Sequence, residues 1–419
     1  MRILHVVNDF LPFTRAGTEH YLAELLAGQQ GLGLASAVLH LAPPDAAPAY
    51  GIVAAPYASA PTCMLGVPRE DRDAPENPRV AAAVAAWLQA NPADVVHIHS
   101  LIGFSVSLLD ALPPQTPVVM TLHDFWLFCA NAILVRGEGR LCAGPRDAED
   151  CAACHARARR EATADPERIR HRNACHRRAG ARLDLAICPS HFSRRLYARH
   201  GFDGPHLVRA PLGMRAVEPV RPVPAPPPAG AGVRFVFLGG LCWFKGADLA
   251  VRAFLALASR GIGPARLDIH GLDSNPEYAR AVRTLAAGHP DIAFHGPYAK
   301  ADLGRILGGA DALLLPSHVE TYSFVAREAL SAGVPVIAAD CGALPEVVRH
   351  EKNGLLFRSG DAAHLAASMA RVLGDAALLP RLRAGIRPVV TVEEDAARLV
   401  RLYRDCLQRR RADTLRTEM

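Results

Sequence analysis

The chain has 419 residues and a net charge of +6, with 50% hydrophobic and only 6% aromatic residues. This length can bury the cores of two domains. No apolar run approaches the roughly 20 residues of a transmembrane helix, which excludes an integral helical membrane protein. The first residues enter a strand with no signal-peptide pattern, so we expect a cytoplasmic protein whose 10 cysteines are reduced.

The first half of the chain alternates short apolar runs with longer helical patterns, for example at residues 18–29 and 78–89. Nearly continuous runs of valine, isoleucine and leucine are typical of parallel strands covered on both faces. This alternation predicts a doubly wound α/β domain over residues 1–215. Its strands are predicted at residues 3–7, 37–41, 95–98, 118–122 and 185–188.

An insertion in this domain, at about residues 129–182, is rich in cysteine and arginine. Four thiols fall within 26 residues of it, and four thiols can close a tetrahedral zinc site. We predict a structural zinc there, because a metal can staple a segment that lacks a core. The alternative is that these cysteines are reduced and bind nothing. The predicted ligands are Cys129, Cys142, Cys151 and Cys154, the last two in a C-x2-C motif.

From residue 155 to residue 200 the chain carries 12 arginines and only 4 acidic residues. One interpretation is a solvated, arginine-rich helical region. The other is a basic face that makes peripheral contact with an anionic membrane or meets an acidic acceptor. We do not expect nucleic acid as a partner, since the segment has few aromatic residues on which bases can stack.

A proline-rich stretch at residues 216–230 is predicted to be an extended linker. The alternation then restarts and predicts a second doubly wound domain over residues 231–385. Residues 386–419 contain an amphipathic helix, predicted at 393–410, and a charged tail. The strands of the second domain are predicted at residues 233–238, 267–270, 292–295, 312–315 and 336–339.

The segment at residues 317–335, SHVETYSFVAREALSAGVP, holds Glu320 and Glu328 with seven residues between them. Glu320 falls in a loop between a predicted strand and a predicted helix, and Glu328 about one turn into that helix. The first turn of a helix offers free N–H groups and a positive dipole end, which suit phosphate. Carboxylates beside it can accept hydrogen bonds from sugar hydroxyls. The pattern therefore favours a nucleotide-sugar as the ligand.

In this setting the chain resembles the retaining glycosyltransferases of family four, which have the GT-B fold. The Glu-x7-Glu pair, the AGVP that follows it and the later ALPEVV and NGLLF stretches occur in the family's order. The resemblance implies two Rossmann-like domains that face each other across a cleft, with the last helix packing back on the N-terminal domain.

The resemblance also implies an activity. It predicts a hexosyltransferase-like enzyme that needs no cofactor or metal for catalysis. The enzyme would move a sugar from a nucleotide-diphosphate-sugar donor to a hydroxyl acceptor with retention of configuration. The charge of the basic segment leads us to expect an acceptor of the cell envelope. This acceptor would be a saccharide or lipid-linked saccharide in polysaccharide biosynthesis at the cytoplasmic face of the membrane.

The donor-binding residues follow from the same resemblance. Lys245, after the first strand of the second domain, contacts the diphosphate, and Gly239 lets the backbone approach it. Glu328 binds the ribose hydroxyls and Glu320 the hydroxyls of the donor sugar. Further diphosphate contacts are predicted from the backbone amides of Thr321, Tyr322, Ser323 and Phe324.

One position departs from the family pattern. The family usually has an arginine five residues before the lysine, where this chain has Gly240. We keep Gly240 among the donor-binding residues as a close-approach glycine. Either a neighbour such as Arg327 supplies the missing charge, or the leaving group is less well stabilised.

In the N-terminal domain, His123 follows the strand at 118–122 and lies, in the family, close to the donor sugar. We predict His123 and Glu320 as the catalytic residues, and assign His123 to positioning or electrostatics and not to proton abstraction. Gly17, before the first helix, is predicted to approach the diphosphate. His97 and His99 are expected to be mainly structural and to point to opposite faces of their strand.

Other functions are weighed against this one. A nucleotide-sugar epimerase on the same fold and an inactive scaffold stay open as alternatives. A pyridoxal-dependent phosphorylase is disfavoured because Lys300 and Lys352, the lysines other than Lys245, look like loop residues. A dinucleotide oxidoreductase is disfavoured because neither domain has an intact G-x-G-x-x-G after its first strand.

Overall fold

A computed structural model of the chain folds into two compact units. The first holds the residues up to Arg215 together with the segment that begins at Val390, and the second holds the residues between Ala216 and Val389. Most of the predicted linker lies outside the described residues. The structure describes residues 1–14, 16–55, 57, 60–136, 141–204, 206–219 and 232–417.

The first unit is built on an eight-stranded sheet. Its strands are β1 (Arg2–Val7), β2 (Ala35–Leu41), β3 (Ile52–Ala54), β4 (Thr62–Leu65), β5 (Val95–Ile98), β6 (Val118–Thr121), β7 (Leu185–Cys188) and β8 (Leu207–Arg209). Its helices are α1 (Gly17–Gly31), α2 (Pro78–Ala90), α3 (Ala148–Arg159), α4 (Pro166–Ala181) and α5 (His191–Arg199). The strand order is β3-β4-β2-β1-β5-β6-β7-β8, parallel except for β3 against β4. The winding direction therefore reverses between β1 and β5.

The second unit is a six-stranded parallel sheet with helices. Its strands are β9 (Val233–Leu238), β10 (Ala265–His270), β11 (Ile292–Gly296), β12 (Ala312–Leu315), β13 (Val336–Ala339) and β14 (Gly354–Phe357). Its helices are α6 (Ala247–Ala258), α7 (Pro276–Ala286), α8 (Leu303–Gly308), α9 (Phe324–Ser331), α10 (Leu344–Val347), α11 (Ala362–Gly374) and α12 (Leu378–Ala384). The order β11-β10-β9-β12-β13-β14 is that of a dinucleotide-binding sheet, reversing between β9 and β12.

The last helix, α13 (Val392–Thr417), belongs to the first unit and packs on α1. Tyr21 of α1 donates a hydrogen bond of 3.0 Å to the carboxylate of Asp395, which also accepts from the backbone N–H of Gly213 at 2.7 Å. Asp395 is buried, so these bonds compensate the loss of its hydration. Within the described part of the chain, no helix combines the length and the apolar character needed to cross a bilayer.

The predicted fold class, two doubly wound parallel-sheet domains, is confirmed. All ten predicted strands occur, each within two residues of its predicted bounds. Four strands were not predicted: β3, β4, β8 and β14. β3 and β8 are the two edge strands of their sheet, β4 lies next to β3, and β14 closes one edge of the second sheet. Short edge strands carry only part of a buried apolar face, so their sequence pattern is weak.

Candidate functional site

The reversal point of the second sheet lies between β9 and β12, which pair directly in parallel. In sheets of this order, ligands bind outside the carboxyl ends of the strands at that point. The loop after β9 leads through Gly239 and Gly240 to Lys245. The loop after β12 leads to Glu320 and then to α9. The topology alone therefore brings the two predicted loops to one edge of the sheet.

The side chains of Lys245 and Glu320 form an ion pair at this edge. Lys245 Nζ lies 2.6 Å from Glu320 Oε1, and Ser317 Oγ donates to the same oxygen at 2.9 Å. Only 30% of the lysine side chain and 10% of the glutamate side chain are exposed. Burial lowers the pKa of Lys245, but the Glu320 carboxylate outweighs this effect, so the net shift is upward and Lys245 is charged at neutral pH.

The loop after β13 holds Glu320 by its backbone. Ala343 N donates to Glu320 O at 2.8 Å, and Cys341 Sγ donates to Ser317 O at 3.0 Å. Gly342 has φ 56°, and a Cβ there would lie 2.4 Å from Glu320 O. Only glycine permits both the left-handed backbone and this close approach. Sequence analysis missed Cys341 and Gly342, although a Cys-Gly step directly after a buried strand is a signal for a tight turn.

The predicted phosphate-binding loop leads into the first turn of α9. Ser323 has φ 60°, which is uncommon for a residue with a side chain, and its Oγ caps the helix by accepting from Ala326 N at 3.4 Å. Arg327 lies 3.5 Å from the centroid of the Tyr322 ring and donates to Ser323 O at 3.2 Å. Its guanidinium therefore adds positive charge beside the positive end of the helix dipole. Phe324 is the first residue of this turn, and Thr321 lies two residues before the cap.

Glu328, on α9, is buried with only 7% of its surface exposed. Lys300 Nζ lies 3.7 Å from its carboxylate. Burial raises the pKa of Tyr298, and the charge of Glu328 raises it further, which indicates that the phenol lies near the carboxylate. Sequence analysis treated Lys300 as a loop residue and did not connect it with Glu328. It starts a short 3-10 turn at Lys300–Asp302 that brings its ammonium to α9.

The reversal point of the first sheet carries a chain of histidines, of which His5 and His99 are buried and His123 is half-buried. His5 Nδ1 lies 3.0 Å from His99 Nε2, and His99 Nδ1 lies 3.1 Å from His123 Nε2. At the other end, His5 Nε2 lies 2.9 Å from Gln29 Oε1. The prediction that His97 and His99 point to opposite faces was wrong: their ring centroids are 4.3 Å apart, because residues two apart share a face of a strand.

Burial makes these four histidines neutral at physiological pH. It lowers the pKa of His5 to about 4 and that of His123 to about 3. The pKa values of His97 and His99 are also well below the usual value, first because of burial and then because of their histidine neighbours. A neutral ring donates from one nitrogen and accepts at the other, so each ring in the chain fixes the next.

The tautomer of His123 follows from this rule. The amide nitrogen of Gln29 points to Tyr403 Oη at 3.4 Å, so the amide oxygen faces His5 and must accept. His5 then carries its proton on Nε2 and accepts at Nδ1 from His99 Nε2–H. His99 in turn accepts at Nδ1 from His123 Nε2–H. His123 is left with an unprotonated Nδ1, which can accept a hydrogen bond from a hydroxyl.

The first unit holds five further predicted residues, Gly17 and four cysteines. Gly17 is the exposed first residue of α1. Asp124 does not pair with His123; it accepts from Trp126 N at 2.8 Å, and burial raises its pKa to about 6. The four predicted metal ligands lie between β6 and β7. They are Cys129, Cys142, Cys151 and Cys154.

Comparison with known proteins was made at the level of families, sequences and folds. The family profile described as "Glycosyltransferase Family 4" matches residues 15–215, and that described as "Glycosyl transferases group 1" matches residues 232–375. A D-inositol 3-phosphate glycosyltransferase from Saccharomonospora viridis is 36% identical over 165 residues, which is 38% of this chain and 37% of that protein. The chain thus matches less than half of that relative's length.

Two solved structures have the same fold. Sucrose-phosphate synthase from Thermosynechococcus elongatus superposes with a TM-score of 0.73 at 18% identity, over 96% of this chain and 98% of the other. HepE of Anabaena, solved with UDP and glucose, superposes with a TM-score of 0.66 at 17% identity, over 95% and 98% of the two chains. The two family profiles, which match residues in both units, confirm the predicted relationship to glycosyltransferase family four. The two solved structures show that the chain has the GT-B fold.

Proposed function

We propose that this protein is a retaining glycosyltransferase that moves a sugar from a nucleotide-diphosphate-sugar to a hydroxyl acceptor. The observation that carries the proposal is the Lys245–Glu320 pair at the reversal point of the second sheet, beside the first turn of α9. A half-buried lysine, a helix N-terminus and a carboxylate together offer one site for phosphate and one for hydroxyls.

In this proposal the diphosphate takes over Lys245 from Glu320. The lysine ammonium, the N-terminal turn of α9 and the guanidinium of Arg327 supply the positive charge on the leaving group, so no metal is required for catalysis. Glu320, released from the lysine, accepts hydrogen bonds from the donor sugar. Glu328 accepts from the ribose hydroxyls, with Lys300 beside it to compensate its charge.

The chemical step forms a bond between the acceptor oxygen and the anomeric carbon and breaks the bond from that carbon to the diphosphate. The acceptor proton passes to the leaving phosphate oxygen on the same face, which retains the configuration. His123 is a poor base because burial lowers its pKa to about 3. Its unprotonated Nδ1 is suited to hold a hydroxyl of the donor sugar, a positioning role.

The donor class has support from the comparisons, since HepE of Anabaena was solved with UDP-glucose. UDP-sugars are therefore the first donors to test. The comparisons give no support to an epimerase. If the protein is an inactive scaffold, no donor will support sugar transfer. The experiment below distinguishes a scaffold from an enzyme.

For the acceptor we propose a saccharide or lipid-linked saccharide of the cell envelope, reached from the cytoplasmic side through peripheral contact with anionic lipid. The support is the excess of arginine at residues 155–200. Some of these arginines form ion pairs with carboxylates, so less of their charge is available to bind anionic lipid. The proposed membrane contact therefore has weaker support than the proposed acceptor chemistry. The arginines in these pairs are Arg159, Arg168, Arg170, Arg178 and Arg182.

The test is a panel of UDP-, GDP-, ADP- and dTDP-sugars in thermal-shift and transfer assays. A donor at 100 times its Kd should raise stability by about 2.7 kcal/mol. We expect one nucleotide to stabilise the wild type and the exposed control Glu277→Gln, and to lose this effect in Glu328→Gln. NMR of the glycoside formed should show the anomeric configuration of the donor. Inversion would refute the retaining mechanism, and absence of binding to every donor would refute the enzyme.

A further inference from the structure

Four cysteines from separate stretches of the first unit line one small cavity. Cys129 lies in the loop after β6, and Cys142 is held by a hydrogen bond of 2.8 Å from its N–H to Leu134 O. Cys151 and Cys154 are three residues apart on α3, and so share a face of the helix. All four contribute to the lining of a cavity of about 30 Å³, which is room for one ion.

The helix that carries two of the cysteines, α3, has little apolar surface to hold it in place. α3 buries only Ala152, His155 and Ala156, two of them small and one polar. Such a helix gains little from hydrophobic burial. A bound metal ion supplies folding free energy to segments of this kind by tying their ligands together.

A side-chain amide beside the cavity is oriented to serve a sulfur ligand. His155 Nδ1 lies 2.9 Å from Asn131 Oδ1, and Asn131 Nδ2 lies 3.4 Å from Cys154 Sγ. The amide oxygen of Asn131 faces the ring nitrogen of His155, so the amide N–H groups face the sulfur. Hydrogen-bond donors of this kind stabilise a thiolate bound to a metal.

A cation, Arg172, lies close to the cavity. Arg172 Nη2 donates to the carbonyl of Cys129 at 3.4 Å, and its guanidinium lies over the ring of Trp126 at 5.3 Å. Among the residues that the structure describes, Arg172 forms no ion pair with a carboxylate. A metal centre with four thiolate ligands would place negative charge beside this cation.

We propose that Cys129, Cys142, Cys151 and Cys154 bind one structural Zn²⁺ with tetrahedral geometry. Binding releases the four thiol protons and forms four zinc–sulfur bonds, which leaves a centre of charge −2 beside Arg172. The sulfurs must move inward, since these cysteines do not form a group within 4.8 Å. Rotation of a cysteine between staggered positions moves its sulfur by about 3 Å, enough to reach zinc–sulfur distances of roughly 2.3 Å.

Two other groups of donor atoms are more closely spaced but less suited to zinc. In the group of His5, His97 and His99, every ring nitrogen already has a hydrogen-bond partner. The other group is Glu76, His171 and Cys175, where Glu76 is paired with both His171 and Arg178. It mixes one carboxylate, one imidazole and one thiol, a set that a metal-binding experiment can tell from four thiolates.

The experiment is metal analysis of the full chain, purified with a non-thiol reductant, followed by Co²⁺ titration of the protein after chelation. We expect one zinc per chain and a cobalt spectrum with strong thiolate charge-transfer bands typical of four sulfur ligands. No zinc in the purified protein together with no thiolate band from added Co²⁺ would overturn the proposal. The wild-type spectrum counts the thiolates even if every ligand variant fails to fold.

Matched variants locate the site. Cys142→Ser and Cys151→Ser should weaken Co²⁺ binding by at least about tenfold, whereas Cys63→Ser, at a half-buried cysteine of β4, should bind as the wild type does. Cys175→Ser should also bind normally. Loss of the metal in Cys175→Ser with its retention in Cys151→Ser would place the ion in the group with Glu76 and His171, and would refute the four-cysteine site.

Discussion

The reversal points of the two sheets are built from opposite chemistry. In the second unit, Lys245 and Glu320 keep full charges at the end of β9 and β12 by pairing with each other. In the first unit, His5 and His99 are buried and His123 is half-buried; all three are neutral and joined in a fixed hydrogen-bonded order. A lysine held in an ion pair can exchange its carboxylate partner for an anionic ligand. A neutral ring in a hydrogen-bonded chain can only present one defined donor or acceptor.

Because of this difference, the two units should respond differently to substitution and to pH. The charged pair should respond to removal of charge, with a large effect on ligand binding. The histidine chain should respond to loss of a hydrogen-bond partner or to protonation, with an effect on stability and orientation. The predictions below test the two assignments, starting with the largest effect.

Lys245→Met should lower kcat/KM by roughly 10²- to 10³-fold, because the charge that stabilises the leaving diphosphate is lost. Lys352→Met, at an exposed lysine of the same unit, is the control and should keep full activity. Steady-state kinetics with the donor found in the panel would measure both. Equal activity of the two variants would show that Lys245 does not contact the donor.

A double variant separates catalysis from stability. Lys245→Met leaves the carboxylate of Glu320 buried without its cation, which destabilises the fold by itself. Lys245→Met with Glu320→Gln should recover stability toward the wild-type value in urea unfolding, while activity stays low. Recovery of activity with stability would mean that the pair has only a structural role.

Gln29→Leu should destabilise the first unit by about 1–3 kcal/mol, because His5 Nε2–H loses its acceptor in a buried site. Gln30→Leu, at the next and exposed position of α1, is the matched control and should change stability little. Urea unfolding measures the difference. NMR with ¹⁵N-labelled histidine should show Nε2–H tautomers for His5, His99 and His123 in the wild type, and a Nδ1–H tautomer at any of them would contradict the chain as described.

Acid should weaken the fold through the same histidines. The pKa of a histidine is about 6.5 in the unfolded chain, but burial lowers those of His5 and His123 to about 4 and about 3. Between these pH values the unfolded state binds more protons than the folded state. The stability that these histidines contribute is therefore complete above pH 6.5 and is lost as pH falls toward 4. Each pKa unit corresponds to about 1.4 kcal/mol.

One carboxyl acts in the opposite direction. Burial raises the pKa of Asp124 to about 6, so the folded state takes up that proton first and gains stability as pH falls from 6 to 4. The four histidines lower stability as pH falls and Asp124 alone raises it. The net effect should be a lower urea midpoint at pH 5 than at pH 7. Asp124→Asn should steepen the loss. A midpoint independent of pH would show that the histidines titrate normally.

Sequence analysis predicted the sheets because their strands are buried on both faces and therefore carry unbroken apolar runs. It predicted Lys245, Glu320 and Glu328 because lysine is rare in this chain and because the family motif spans the two glutamates. These signals are local. The positions of Lys245 and Glu320 next to each other follow only from the pairing of β9 with β12, which no local pattern contains.

What the sequence did not predict depends on contacts between distant residues. Lys300 reaches Glu328 across 28 positions, and His5 meets His99 across 94. The role of Gly342 depends on how closely its loop passes Glu320. The histidine chain could have been suspected from one fact in the sequence: His97 and His99 are two residues apart on a strand and so share a face.

The smallest expected effect concerns Gly240, where the family usually has an arginine. A Cβ at this position would lie 2.4 Å from Ser274 Oγ, and its φ lies outside the left-handed region, so only that hydroxyl opposes a side chain. The hydroxyl is held by one weak bond of 3.4 Å to Leu272 O and can turn away. Gly240→Arg combined with Ser274→Gly should therefore fold normally and add a cation beside Lys245.

If the charge on the leaving group limits donor binding, this double variant should bind the nucleotide diphosphate up to about tenfold more tightly, or 1.4 kcal/mol. Gly240→Ala with Ser274→Gly provides the same backbone change without the charge and should bind as the wild type does. Titration calorimetry with the nucleotide diphosphate measures both. No gain from the arginine would mean that Arg327, which already lies against the first turn of α9, supplies the charge that Gly240 lacks.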